Sequence, residues 1–152
     1  MPSRSIVTAP VLALCSVFAL SGCGDPRAMF VGNWNMQASV VLNIQGQSVS
    51  QPGTTVLTIT RSSASNQIAW STAACDFTAI VTSDRSFTVN PVVCRPQSNT
   101  SCQQVTFAFN QGIGTLTGAN LSISVNGTVN AVCGGTASTG GAQLTWAGPM
   151  AP

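Results

Sequence analysis

Residues 34–45, WNMQASVVLNIQ, decide the fold. Apolar side chains occupy every second position from Trp34 to Ile44, and the positions between them are polar except for Val41. Successive side chains of a strand point to opposite faces, so this alternation predicts a half-buried β-strand and not a helix. A turn is expected next, over residues 46–53, which contain two glycines and a proline.

The same alternation returns in short segments up to the end of the chain, and no segment has a helical period. Further strands are predicted at 57–59, 68–70, 77–81, 87–89, 105–109, around 116, and at 121–125, 129–131 and 144–146. Asn126-Gly127 predicts a two-residue hairpin, because both residues tolerate a positive φ. A loop is expected over the glycine-rich residues 134–142.

Short polar connections between strands favour antiparallel neighbours. The fold class predicted is therefore all-β, an antiparallel meander of about 8–10 short strands. A small closed barrel is favoured over a sandwich, because closure removes sheet edges that this chain has few charged residues to guard. A single β domain is expected at 31–148, followed by a tail at 149–152.

Four cysteines lie in the predicted domain, and an even number predicts two disulfides in a chain that is exported, as the leader described below indicates. They are Cys75, Cys94, Cys102 and Cys133. A metal site is not expected, because the spacing contains no C-x-x-C pair.

The favoured pairing joins Cys75 to Cys94 and Cys102 to Cys133. A hairpin whose tip is at residues 84–85 places Cys75 opposite Cys94. The apolar alternation disagrees with that register by one residue, so a bulge is expected near Pro91, which lacks the N–H that a ladder needs. The alternative pairing joins Cys94 to Cys102 and Cys75 to Cys133.

A mostly apolar stretch, residues 6–20, follows Arg4 at the start of the chain. As a helix it would extend roughly 22 Å, short of the roughly 30 Å hydrocarbon core. It therefore predicts a signal peptide over residues 1–22 and not a membrane anchor.

Leu20-Ser21-Gly22-Cys23 resembles the lipobox of bacterial lipoproteins. The resemblance implies cleavage before Cys23, lipidation of its thiol, and a membrane partner reached through that lipid. Residues 23–30 are then the lipidated cysteine and a short tether. Because Gly24 and not Asp follows Cys23, the resemblance favours the outer membrane of a cell envelope over the inner membrane.

Gly32-Asn33-Trp34 resembles the Gly-x-Trp that opens the first strand of lipocalins, where the Trp closes one end of the barrel. This resemblance covers three residues, and no ligand-binding residue is transferred from it. Trp34, Trp70 and Trp146 lie on the apolar faces of their strands, which favours core packing. The alternative is that these three line an apolar cavity.

The chain contains no Lys, Glu, His or Tyr, and only 5% of its residues are charged. No triad that needs His can be built. Asp76 and Asp84 would stand roughly 25 Å apart along one strand and its turn, too far for a glycosidase pair. Scattered arginines do not form the basic stripe that nucleic acids need.

These observations predict a non-catalytic, membrane-anchored envelope lipoprotein that acts as a binding or accessory module, with no cofactor and no metal. Its partner would be a protein, a glycan or a small apolar ligand, and not a nucleic acid. A structural envelope lipoprotein without ligand is the alternative, and a hydrolytic enzyme is the least favoured one.

Overall fold

The computed structural model describes residues 24–96 and 102–152, and this part of the chain is all-β. Its strands are β1 Gly32–Ile44, β2 Gln47–Arg61, β3 Gln67–Ser71, β4 Asp76–Ser83, β5 Ser86–Val89, β6 Val92–Cys94, β7 Cys102–Thr117, β8 Asn120–Cys133 and β9 Thr136–Pro149. A 3₁₀ turn at Pro26–Met29 precedes β1.

The strands form one antiparallel sheet in the order β5-β4-β3-β2-β1-β9-β8-β7-β6. β5 also pairs with β7, where Phe87 lies opposite Gly114 and Thr88 opposite Ile113. Because of this pairing the sheet returns on itself. The predicted antiparallel meander that closes into a small barrel is therefore confirmed.

Both favoured disulfides are present, so the alternative pairing of the cysteines is wrong. Cys75 and Cys94 have their Cα atoms 5.1 Å apart, and Cys102 and Cys133 have theirs 4.0 Å apart.

The bulge expected near Pro91 is misplaced. The register shift of the β4–β5 hairpin lies between Val81 and Ser83. Asn90 and Pro91 instead separate β5 from β6. Pro91 has no N–H to donate to a neighbouring strand, so the hydrogen-bond ladder is interrupted there.

The turn predicted at 46–53 is wrong. The chain turns at Gln45 and Gly46, with φ of 51° and 79°, and β2 then runs through Pro52. Ile44 and Gln47 flank the two-residue turn and exchange hydrogen bonds, so the backbone nitrogen of Pro52 points away from β1. β3 pairs with β2 only at Thr60 and Arg61, so Pro52 lies where no N–H is required.

The hairpin predicted at Asn126-Gly127 is also wrong, because both residues lie inside β8. At this level β7 has a register shift between Phe109 and Gln111, and a Cβ on Gly127 would overlap the carbonyl oxygen of Ala108. Gly127 therefore allows the two backbones to approach closely and does not form a turn.

As a consequence, four predicted strands merge into two. The segments at 105–109 and around 116 belong to β7, and those at 121–125 and 129–131 belong to β8. The loop predicted at 134–142 shrinks to a turn at Gly134-Gly135, both with positive φ, and β9 begins at Thr136.

The strands differ in length, and this shapes the barrel. β1, β2, β7, β8 and β9 have 13 to 16 residues each, whereas β3 to β6 have 3 to 8. The end where β1 begins is called here the proximal end, and β2 pairs there with β3 at Thr60 and Arg61. The long strands continue towards the turns at 45–46 and 134–135, which mark the distal end, and β6 pairs with the distal part of β7 at Phe107–Phe109.

Candidate ligand-binding cleft

The proximal end of the barrel is closed by aromatic side chains. Trp34, on the inner face of β1, donates its Nε1–H to the carbonyl oxygen of Phe30 over 2.8 Å. Phe30 has no exposed surface and meets the ring of Phe87 edge-on, with centroids 5.1 Å apart. The 3₁₀ turn before β1 thus carries Phe30 into the end of the barrel and plugs it.

The N-terminal segment is held against this end by ion pairs. Arg27 and Arg61 each bring Nε to within 2.9 Å of a carboxylate oxygen of Asp25. The hydrogen bond from the Arg27 side chain holds the pKa of the Asp25 carboxyl well below its usual range, and the same bond raises the pKa of Arg27. Arg27 also donates to the carbonyl oxygens of Ser62 and Ala64. Residues 25–30, expected as part of a tether, therefore lie against the barrel.

The expected tail lies against the same end. Pro149 is the last residue of β9, Met150 forms an isolated bridge with Trp34, and the amide of Ala151 donates to the carbonyl oxygen of Asn33.

The middle of the barrel is filled by an aromatic stack. Trp70 stacks on Phe77 at 5.3 Å, and Phe77 meets Trp146 edge-on at 5.6 Å. All three of these side chains are buried. Trp70 Nε1 is also buried, and it has no hydrogen-bond partner among the described residues.

A cleft of about 340 Å³ opens on the distal side of this stack. Its apolar lining comes from four strands and from the connection before β4, and it comprises Ala38, Val40, Leu57, Ala73, Ala74, Cys75, Phe107, Phe109, Leu144 and Trp146. A volume of this size lies within the range of small-molecule sites. Of the three tryptophans singled out in the sequence, only Trp146 lines the cleft, while Trp34 and Trp70 pack in the core.

The cleft exists because several lining side chains are too small to fill it. Ala38 pairs with Gly53 across β1 and β2, and Ala73 and Ala74 lie in the connection between β3 and β4. In the proximal half, by contrast, the inner positions of β1 carry Trp34 and Met36, which are fully packed. The change from large to small inner residues along β1 therefore marks where the packed core ends.

The cleft offers a ligand little polar chemistry. None of its lining residues carries a charge. The hydroxyl of Thr72 is engaged locally, because it donates to the carbonyl oxygen of Cys75 and accepts from the amides of Ala74 and Cys75. The cleft can bind an apolar group, and it has no ionic partner for a charged one.

Beyond the cleft, the inner face of β1 stays apolar but is only partly covered. Leu42 and Ile44 continue the inner face of β1, and both are half-buried. Val49, opposite Leu42 on β2, is 60% exposed. An uncovered apolar strip thus leads from the cleft to the distal end.

The remaining titratable groups do not form a site with the cleft. Asp76 and Asp84 are both exposed and lie at opposite ends of β4. Among residues 24–96 and 102–152, no three His, Cys, Asp or Glu side chains come close enough to hold a metal ion. In that same part of the chain, no helix has the length and apolarity to span a membrane. Cys23, the predicted lipidation site, lies outside the described residues.

Comparisons of the chain with protein-family models, with curated proteins and with solved structures found no match.

The sequence contains a signal for the cleft in addition to the strand pattern. The apolar alternation of β1 continues through Val40, Leu42 and Ile44. No equally long run of large apolar residues faces it on β2, because Gln51 pairs with Val40 and Gln47 pairs with Ile44. An apolar face opposite a polar edge indicates a surface that is only partly covered.

Proposed function

We propose that the chain is a non-catalytic lipoprotein of the cell envelope, anchored through Cys23, whose barrel binds a small apolar ligand. The observation that carries the proposal is the uncharged apolar cleft on the distal side of the aromatic stack. A concave apolar site fits a small apolar ligand better than it fits a protein or a glycan, which need broad or polar surfaces.

The position of the N-terminal segment supports this proposal. Asp25 is held at the proximal end by Arg27 and Arg61, and two residues of chain reach at most about 7 Å. A lipid on Cys23 would therefore lie near the proximal end. Val40 is eight residues along β1 from Gly32, about 27 Å away at strand rise. The cleft then opens away from the membrane that holds the anchor.

Two or three acyl chains on Cys23 would anchor the protein firmly, since each buried methylene contributes roughly 0.8 kcal/mol. The lipobox resemblance, with Gly24 after the cysteine, favours the outer membrane. The non-catalytic role is supported by the residue types available, because a chain without His, Glu, Lys or Tyr has only Asp76, Asp84 and the ion-paired Asp25 as carboxylates.

The anchor is tested by palmitate labelling of cells that express the chain. Labelling is expected in the unaltered protein and in Cys15→Ala, whose changed cysteine lies in the leader, and it is expected to disappear in Cys23→Ala. Equal labelling of the two variants would refute the anchor.

The cleft is tested with the dye N-phenyl-1-naphthylamine, whose fluorescence rises in apolar surroundings. Val40→Trp fills the cleft, whereas Val41→Trp places the same side chain on the opposite face of β1. We expect Val40→Trp to weaken dye binding at least about tenfold, a change of about 1.4 kcal/mol, and Val41→Trp to leave it unchanged. Absence of binding to the unaltered protein would favour the alternative, a structural lipoprotein without ligand.

A further inference from the structure

We propose that the ligand of the cleft is a single extended acyl chain, which enters methyl end first from the distal end and leaves its head group in solvent. This inference rests on the proposed function and narrows it to one class of ligand.

The length of the apolar surface supports a chain and not a compact molecule. The inner positions of β1 continue from Ala38 in the cleft to Ile44 at the distal turn, six residues or about 20 Å at strand rise. On the neighbouring strand β9, the partly buried Leu144 lies opposite Val40 and widens this surface into a track. One leaflet of a bilayer has about half of the roughly 30 Å hydrocarbon thickness, so an extended acyl chain fits the track.

The charge distribution supports an uncharged chain with its head outside. Residues 28–60 and 102–152, which include all of β1, β7, β8 and β9, contain no charged side chain. A charged head group inside the cleft would lose its hydration without gaining a partner. At the distal end of the track it stays in water, because Val49 and Gln47, which lie opposite Leu42 and Ile44 on β2, are exposed.

The direction of entry follows from the plug at the proximal end. Phe30, Trp34 and Phe87 are almost completely buried and leave no opening there. Trp146 lies opposite Ala38, at the inner end of the lining on β1, and contacts Phe77 of the aromatic stack. The methyl end of the chain is therefore expected next to the indole of Trp146.

The test uses the mature protein held by its lipid in phosphatidylcholine nanodiscs, titrated with fatty acids from octanoate to stearate and followed by displacement of the dye. Each methylene that enters the track should tighten the Kd about fourfold when the Kd is expressed against fatty acid free in water, after correction for partition into the nanodisc, because each buried methylene contributes roughly 0.8 kcal/mol. The gain should cease at the long end of the series, where the chain outgrows the track. A Kd that does not depend on chain length would overturn the proposal.

Brominated fatty acids test the direction of entry, because bromine quenches indole fluorescence only at contact range. An ω-bromo acid should quench more strongly than its α-bromo isomer, and Trp146→Phe should remove the difference while it leaves the quenching that arises in the bilayer. Stronger quenching by the α-bromo isomer would overturn the proposed orientation. If Trp146→Phe does not fold, the two bromo acids are compared in Val40→Trp, whose cleft is blocked, and in Val41→Trp, whose cleft is open.

The two proposals fail in different ways. If the dye binds and Val40→Trp blocks it, but no fatty acid displaces it, the acyl-chain inference is refuted and the binding cleft stands. If neither the dye nor any fatty acid binds, both are refuted. Concentration-dependent dimerisation that Val40→Trp abolishes would identify a second copy of this chain as the occupant and would also refute the inference.

Discussion

Gly114 lies where the barrel closes, so Gly114→Ala tests the closure directly. It pairs with Phe87 across β5 and β7, and a Cβ at this position would overlap the ring of Phe87. That ring cannot move aside easily, because it has no exposed surface and packs against Phe30 at 5.1 Å and Trp70 at 5.8 Å. The added methyl group must therefore displace backbone or core.

Overpacking of this kind costs about 1–3 kcal/mol of unfolding free energy. Gly53→Ala is the matched control, since a Cβ at Gly53 meets nothing within 4 Å and the residue lies in a strand with negative φ. Removing a glycine from such a site should be neutral or should stabilise by about 0.4–1 kcal/mol. In a Phe87→Leu background, Gly114→Ala should cost at least about 1 kcal/mol less than it does in the unaltered protein.

The assay is urea unfolding of the mature protein with its disulfides intact, followed by tryptophan fluorescence and compared at equal m-values. If Gly114→Ala proved as harmless as Gly53→Ala, or if its cost were the same with and without the ring of Phe87, then β5 would not lie against β7. The sheet would then be open, and the reasoning about a closed barrel would be refuted.

Three further outcomes are expected. Replacing both Cys75 and Cys94 by Ser should lower the unfolding free energy by about 3 kcal/mol, from the entropy of a loop closed over 19 residues; no change in urea midpoint would contradict this. Trp34→Phe should cost about 1–3 kcal/mol, because the carbonyl oxygen of Phe30 loses its 2.8 Å bond in a buried place, and an equal midpoint would show that water replaces the indole. Asp25→Asn should destabilise the protein at neutral pH. Because the pKa of Asp25 is lowered on folding, its contribution is complete above the unfolded-state pKa of about 3.9 and is lost as the pH falls through the lower folded value. The difference in melting temperature between the two proteins should therefore shrink only in strong acid, and a difference that grows on acidification would contradict the ion pair.

The sequence predicted the strands well because their pattern is local. Alternation with a period of two depends only on which face is buried, and it identified the inner face of β1 from Trp34 onwards. The disulfide pairing followed from hairpin geometry, since Cys75 and Cys94 lie on the two arms of one turn.

The turns could not be predicted equally well, because glycine and proline serve non-local purposes here. Pro52 is tolerated in β2 because, among the described residues, this stretch of the strand has no neighbouring strand on the edge away from β1. Gly127 continues β8 since the backbone of Ala108 approaches it. Neither reason is visible before the strands are paired.

The cleft was predicted only in outline. An apolar cavity in a small barrel was one of the alternatives, but the choice of tryptophans could not separate packed from lining residues. Trp34 packs in the plug at the proximal end, Trp70 packs in the aromatic stack, and only Trp146 reaches the cleft. The separation depends on strand length, because β3 pairs with β2 only at Thr60 and Arg61 and leaves the distal half of β2 without a neighbour on that side among the described residues.

The most direct test of the binding cleft is a crystal structure of the mature protein grown with ω-bromododecanoate, with the bromine located by its anomalous scattering. We expect a bromine peak between Val40, Leu144 and Trp146, with the carboxylate towards the distal end. A barrel whose interior is filled by its own side chains, with bromine absent from this position, would contradict it.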